Sequence, residues 1–72
     1  MTMRWTVNGD ARDGEARTLQ DVWEAEARDL GVETPRGFAM AHNGRVAPKA
    51  EWPRTLLAEG DRVEIIRAMA GG

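Results

Sequence analysis

The 72-residue chain contains no cysteine. That excludes a disulfide scaffold, a thiolate metal site and a thiol nucleophile. Histidine is nearly absent too: His42 stands alone, with no carboxylate at a telling spacing beside it. It is therefore expected to pack half-buried, with no metal to ligate and no base work to do. Charge of one sign is also lacking. Lys+Arg number 10 against Asp+Glu 12, a net charge of −2, which is too balanced for a nucleic-acid binder held by phosphate contacts. No apolar run approaches the ~20 residues of a membrane span, and no signal-peptide series opens the chain. A cytoplasmic protein without a membrane partner is expected. Length is the last shortage. A domain near this size buries only about 60% of its unfolded surface, which leaves no room for a large internal active site. A carrier, binding module or small regulator is expected, not a self-contained enzyme.

What is present folds. Hydrophobic residues make up 42% and charged ones 31%, a globular balance, with no repeat, linker or low-complexity stretch. Met3, Trp5 and Val7 alternate with Arg4 and Thr6, the period of a half-buried strand. Asn8-Gly9-Asp10 supplies turn chemistry. A polar loop through Gly14 and a short returning strand at Glu15–Arg17 are expected after it. Thr18 can cap a helix by accepting from the Asp21 N–H. Leu19, Val22, Trp23, Ala27 and Leu30 then share one stripe, and Gly31 provides a left-handed cap onto which Val32 folds back. Pro35 forbids a longer helix. Phe38, Met40 and His42 alternate with Ala39 and Ala41 in a third strand. Asn43-Gly44 turns into a fourth strand at Arg45–Ala47, which Pro48 stops. Lys49 to Leu57, interrupted by Pro53, suits a single 3₁₀ turn. The strand Arg62–Arg67 closes the series with Val63 and Ile65 inward. The order β-β-α-β-β-β predicts an α+β domain of the β-grasp type: a mixed sheet of four to five strands packed on one helix over residues 1–67. A flexible tail, residues 68–72, follows.

Several segments together carry a resemblance. Val7-Asn8-Gly9 closes the opening strand, Thr18-Leu19 begins the helix, Pro35-Arg36-Gly37 precedes the third strand and Asn43-Gly44 comes after it. Val46-Ala47-Pro48-Lys49, Glu51-Trp52 and Glu59-Gly60-Asp61-Arg62-Val63-Glu64-Ile65 follow, and the chain ends Ala70-Gly71-Gly72. Over nearly its whole length it resembles the ThiS family, the ubiquitin-like sulfur carriers of bacterial thiamine biosynthesis. It departs from that pattern at His42, where an aliphatic residue is usual, at Trp23, where leucine is common, and at Met69, where valine or isoleucine is usual.

The resemblance implies a carrier and not a catalyst. The functional group would be the carboxylate of Gly72, presented by Gly71 and Ala70. A ThiF-like adenylyltransferase would activate it with Mg-ATP, and sulfur from a cysteine desulfurase or other persulfide donor would displace AMP. A ThiG-like thiazole synthase would consume the resulting thiocarboxylate. No cofactor is implied for the chain itself. In ubiquitin-like proteins the outer sheet face is the one partners grip. Here Ile66 and Ala68 alternate away from Val63 and Ile65, which places them with Ala39 and Ala41 as the expected partner face. Molybdopterin-synthase small subunits, which share the chemistry, carry a Phe-x-Pro-Pro run before the tail. Ile65-Ile66-Arg67-Ala68-Met69 has no proline. A carrier for another sulfur-containing metabolite, a lysine-linked protein modifier and a β-grasp binding module with an inert tail are the further alternatives.

The remaining features read as ordinary. Trp5, Trp23 and Trp52 are expected in the core, since no basic stripe accompanies them for base stacking. Glu24, Glu26, Asp29 and Glu33 are expected on a solvated helix face. Residues 1–33 carry eight acidic and four basic side chains and residues 34–72 carry four and six, an asymmetry able to steer docking. Lys49 is an acceptor in principle for an activated C-terminus.

Overall fold

The structure, a computed structural model, describes residues 2–67. Five strands form one sheet: β1 (Met3–Val7), β2 (Asp10–Gly14), β3 (Phe38–His42), β4 (Arg45–Ala47) and β5 (Arg62–Arg67). Their spatial order is β2-β1-β5-β3-β4. β5 runs parallel to β1 and antiparallel to β3, and the two hairpins are antiparallel. The helix α1 (Leu19–Leu30) crosses one face, and a 3₁₀ segment, Lys49–Arg54, leads from β4 back toward β5. This is the expected β-grasp, with five strands. The segment 68–72 lies outside the described residues.

The core lies between α1 and the inner sheet face. Trp5 and Val7 of β1, Phe38 and Met40 of β3 and Val63 of β5 meet Leu19, Val22, Trp23 and Ala27 of α1 there. Trp23 sits at the centre of an aromatic cluster, with ring centroids 5.0 Å from Phe38 and 5.7 Å from Trp52. Tilted contacts of this kind add to the area that each ring buries. Burying Trp52 also buries an N–H, which donates to the Ala47 carbonyl at 2.8 Å and so fastens the 3₁₀ segment to β4. All three tryptophans are core residues, as expected.

The helix ends are set locally. Thr18 Oγ1 accepts from the Asp21 N–H at 3.2 Å, and Asp21 Oδ2 accepts in return from the Thr18 N–H at 3.1 Å. Asp21 thus completes a reciprocal capping box in place of the usual Glu or Gln. The same carboxylate takes the Arg17 N–H at 2.8 Å, and these bonds hold its pKa below the ordinary value. At the other end Gly31 has φ +74° and Val32 N–H donates to the Ala27 carbonyl, the left-handed stop that the sequence predicts.

Two expectations need correction here. The second strand is Asp10–Gly14, not Glu15–Arg17. Asn8 (φ +52°) and Gly9 (φ +85°) form a two-residue turn of type I′ sense, which pairs Val7 directly with Asp10. The residues expected in a loop are therefore in the ladder. The second correction concerns the helix stripe. Leu30 is 56% exposed, whereas Glu26 is buried. Glu26 lies four residues after Val22 and three after Trp23, on the apolar stripe itself. Its carboxylate receives Arg12 in a two-point grip, Nε to Oε2 at 2.9 Å and Nη2 to Oε1 at 3.4 Å, and this grip raises the Arg12 pKa. Glu24, Asp29 and Glu33 are exposed as expected.

Removing the cap hydroxyl with Thr18→Ala should cost about 1 kcal/mol of stability. Urea unfolding checks this, with the midpoint shifted and the slope unchanged.

Candidate functional site

The site expected from the sequence has two parts, a terminal segment and a sheet face. Gly72, Gly71, Ala70 and Ala68 lie outside the described residues. Ala39, Ala41 and Ile66 lie within them, and register decides their relation. Ala39 stands opposite Ile66, and Ala41 stands opposite Glu64. Directly opposed residues share a face, so all three are on the outer sheet face, away from α1. Their exposures differ. Ile66 is 51% exposed, Ala39 is half-buried and Ala41 is only 7% exposed. Ala41 therefore offers a floor more than a contact.

A fourth member was missed. The Asn43-Gly44 turn has φ values of +52° and +87°, a second two-residue turn, and it pairs Ala41 with Val46. Val46 is 71% exposed and joins Ile66, Ala39 and Ala41 in one apolar strip across β5, β3 and β4. The signal was available, since a two-residue Asn-Gly turn fixes the register across it. Arg62 and Glu64 of β5 lie on the same face. The strip is thus bordered by charge of both signs.

His42 is half-buried, as expected, but it has a carboxylate partner. Its Nε2 lies 2.6 Å from Oδ2 of Asp61, nineteen residues away. Asp61 is itself buried and collects three further bonds. The Ala58 N–H donates to Oδ2 at 2.8 Å, the Asn43 amide donates to Oδ1 at 3.1 Å, and the Asp61 N–H closes the turn onto the Ala58 carbonyl. Burial opposes the charged form of Asp61, but the bonds from His42, Asn43 and Ala58 outweigh it and hold the pKa below its ordinary value. Asn43 also accepts the Arg62 N–H at 2.8 Å. This knot ties the β3–β4 turn to the start of β5. It sits at the sheet end opposite the one where residues 68–72 begin, so its role is to hold the frame.

The family model of the ThiS family matches residues 5–72. The chain belongs to the ThiS family. A sulfur carrier protein ThiS from Thermus thermophilus is 37% identical over 70 residues, covering 97% of this chain and 100% of the relative. A crystal structure of a thiamine biosynthesis protein, ThiS, from Geobacter metallireducens superposes with a TM-score of 0.74 at 25% identity, covering 97% of this chain and 100% of that one. A thiazole synthase from Paramagnetospirillum magneticum is 30% identical over 70 residues; these make up 97% of this chain but only 20% of that protein. The ThiS match thus extends across β1 to β5 and on through the Gly71-Gly72 end.

The Asp61 knot gives a pH signature. The Asp61 pKa is lowered on folding, so its stabilisation is complete above the ordinary value of 3.8 and is lost as pH falls through the folded-state pKa. Asp61→Ala should cost about 2 kcal/mol near neutral pH. Unfolding midpoints measured from pH 7 to 2 should fall in the wild type below pH 3.8, with that component missing in the variant.

Proposed function

We infer that this chain is the sulfur carrier of thiazole formation in thiamine biosynthesis, its Gly72 carboxylate being activated and converted to a thiocarboxylate. The observation that carries this reading is a ThiS-family match over residues 5–72 that includes Ala70-Gly71-Gly72. The carrier would be a co-substrate of two enzymes, an adenylyltransferase using Mg-ATP and a thiazole synthase. The thiazole synthase that contains a segment similar to this whole chain supports the second partnership.

The chemistry asks little of the chain. An α-carboxyl titrates near 3.3–3.7, so at neutral pH it is already the anion that attacks the α-phosphate of ATP. No general base is needed, only delivery. Five residues beyond Arg67, when extended, span about 17 Å, enough to reach a nucleotide buried inside a partner. Gly71 and Gly72 lack Cβ, so they fit a narrow channel and adopt backbone angles closed to other residues. Attack on the α-phosphate expels pyrophosphate. The terminal sulfur of a partner's persulfide then displaces AMP to give an acyl disulfide. A second partner thiol cleaves its S–S bond, becoming a disulfide with the donor sulfur and releasing the thiocarboxylate. A chain without cysteine offers no internal thiol to intercept the activated group.

The outer strip supplies the grip. Ile66, Val46 and Ala39 over the floor of Ala41 form a small apolar centre with Arg62 and Glu64 beside it, the arrangement of an apolar core with a polar rim that partner contacts use. Ile66 is the member closest in sequence to the tail, and half of it is open to solvent.

Intact mass spectrometry after incubation with the adenylyltransferase, ATP and a sulfur source tests the reading. The wild type should gain the difference between sulfur and oxygen, and a chain lacking Gly71 and Gly72 should gain nothing. High-mass lysine conjugates would point to a protein modifier instead, and an unchanged wild-type mass would sink the carrier reading. Ile66→Asp should weaken adenylation about tenfold or more while leaving the circular dichroism spectrum and melting point near wild type.

A further inference from the structure

The inner face of β5 ends in a groove that the sheet strip does not include. Val7, Phe38 and Ile65 line its floor, and Leu30 from the last turn of α1 stands at one end. The Arg12–Glu26 pair and Asp10 close the side toward β2, and Arg67 forms the wall where β5 stops. The cavity measures about 300 Å³, room for one large apolar side chain. Leu30 is 56% exposed, although the helix positions behind it on the same stripe are buried. The Arg67 guanidinium lies 5.3 Å from the Phe38 ring centroid and has no ion pair among the described residues.

The edge of the sheet leaves this groove open. β1 pairs with β5 only through Thr6–Arg62 and Val7–Val63, and then turns away at Asn8-Gly9. Asn8 Oδ1 takes the Ile65 N–H at 2.9 Å, so the last half of β5 has a turn and not a strand on that flank. A partner can therefore reach round this flank. It would meet Ile66 on the outer face and Ile65 with Arg67 on the inner one.

We propose that the groove is a second contact for the adenylyltransferase that receives residues 68–72, which inserts an apolar side chain beside Leu30 and sets a carboxylate against Arg67. The proposal rests on the carrier reading. Continuity carries it: Arg67 is at once the wall of the groove and the residue from which the delivered segment starts. A protein that encloses that segment down to its root has to close around Arg67. The floor is apolar and Arg67 makes no ion pair among the described residues, Asp10 of the lining included, which selects an apolar insert with an acidic neighbour. Water excluded by such a closure strengthens the Arg67 contact, because charge pairs gain in a low-dielectric setting.

Leu30→Gln tests this, since glutamine favours helix nearly as well as leucine but lacks the apolar body. In steady-state pyrophosphate release by the adenylyltransferase, the KM for the carrier should rise about tenfold with kcat unchanged. Leu30→Met, which restores an apolar side chain, should return KM to near wild type, and both variants should melt within a few degrees of it. A wild-type KM for Leu30→Gln alongside an impaired Ile66→Asp overturns the groove contact and leaves the outer face standing. A lowered KM also overturns it, assigning the groove to the chain's own residues 68–72. If the wild type releases no pyrophosphate, the carrier reading fails, and this proposal with it.

Discussion

The pairing of β5 between β1 and β3 puts the strand that precedes residues 68–72 in the middle of the sheet, and most of the molecule can be understood as holding it there. Val63 anchors its start at 1% exposure. Two asparagines hold its backbone from the sides. Asn8 accepts the Ile65 N–H and Asn43 accepts the Arg62 N–H, and each asparagine opens a two-residue turn in which it adopts a positive φ. The same turn chemistry that reverses the chain thus supplies side-chain acceptors to the central strand. A backbone N–H left without such a partner would cost about as much as a lost hydrogen bond.

Much of this was legible because local rules and tertiary packing agree. The capping pair Thr18 and Asp21, the stop at Gly31, and strands β3, β4 and β5 all follow from spacing within a few residues. Most of the failures involve a partner remote in sequence, and the boundary of β2 involves a turn register as well. β2 reads as a loop because Asp10, Arg12 and Gly14 offer no apolar face toward the core. Its place is set instead by the register of the Asn8-Gly9 turn and by Arg12 reaching Glu26, fourteen residues away. A charged edge strand also discourages pairing with other chains, so the property that hides β2 in the sequence suits its position. Glu26 reads as solvated for the same reason, and His42 reads as solitary because Asp61 comes from another strand.

The outer strip was half legible. Alternation placed Ile66, Ala39 and Ala41 on one face correctly. Their depth was not readable, since alanine is covered readily by its neighbours on a twisted sheet, and Ala41 is nearly closed off. Val46 required counting across the turn as well as along the strand. The groove was not legible at all. It arises where β1 ends short of β5 and where the helix carries Leu30 one turn past its buried contacts, and both are facts of length matched across elements.

The two hydrogen-bonded side-chain clusters show how a small domain separates its frame from its working end. A half-buried polar or charged pair gives little net stability against apolar packing, but breaking one is costly, so such pairs fix a geometry more than they deepen a well. His42–Asp61 fixes the end where β5 enters the sheet. Arg12–Glu26 fixes the hairpin to the helix near the end where β5 leaves it. Between them lies the aromatic core of Trp23, Phe38 and Trp52, which carries the apolar burial. A domain with this division needs no reactive side chain of its own. Its fixed part ends at Arg67. In the carrier role proposed above, a fixed base would limit where the terminal carboxylate can go and so raise its local concentration at a partner docked on the adjoining surface.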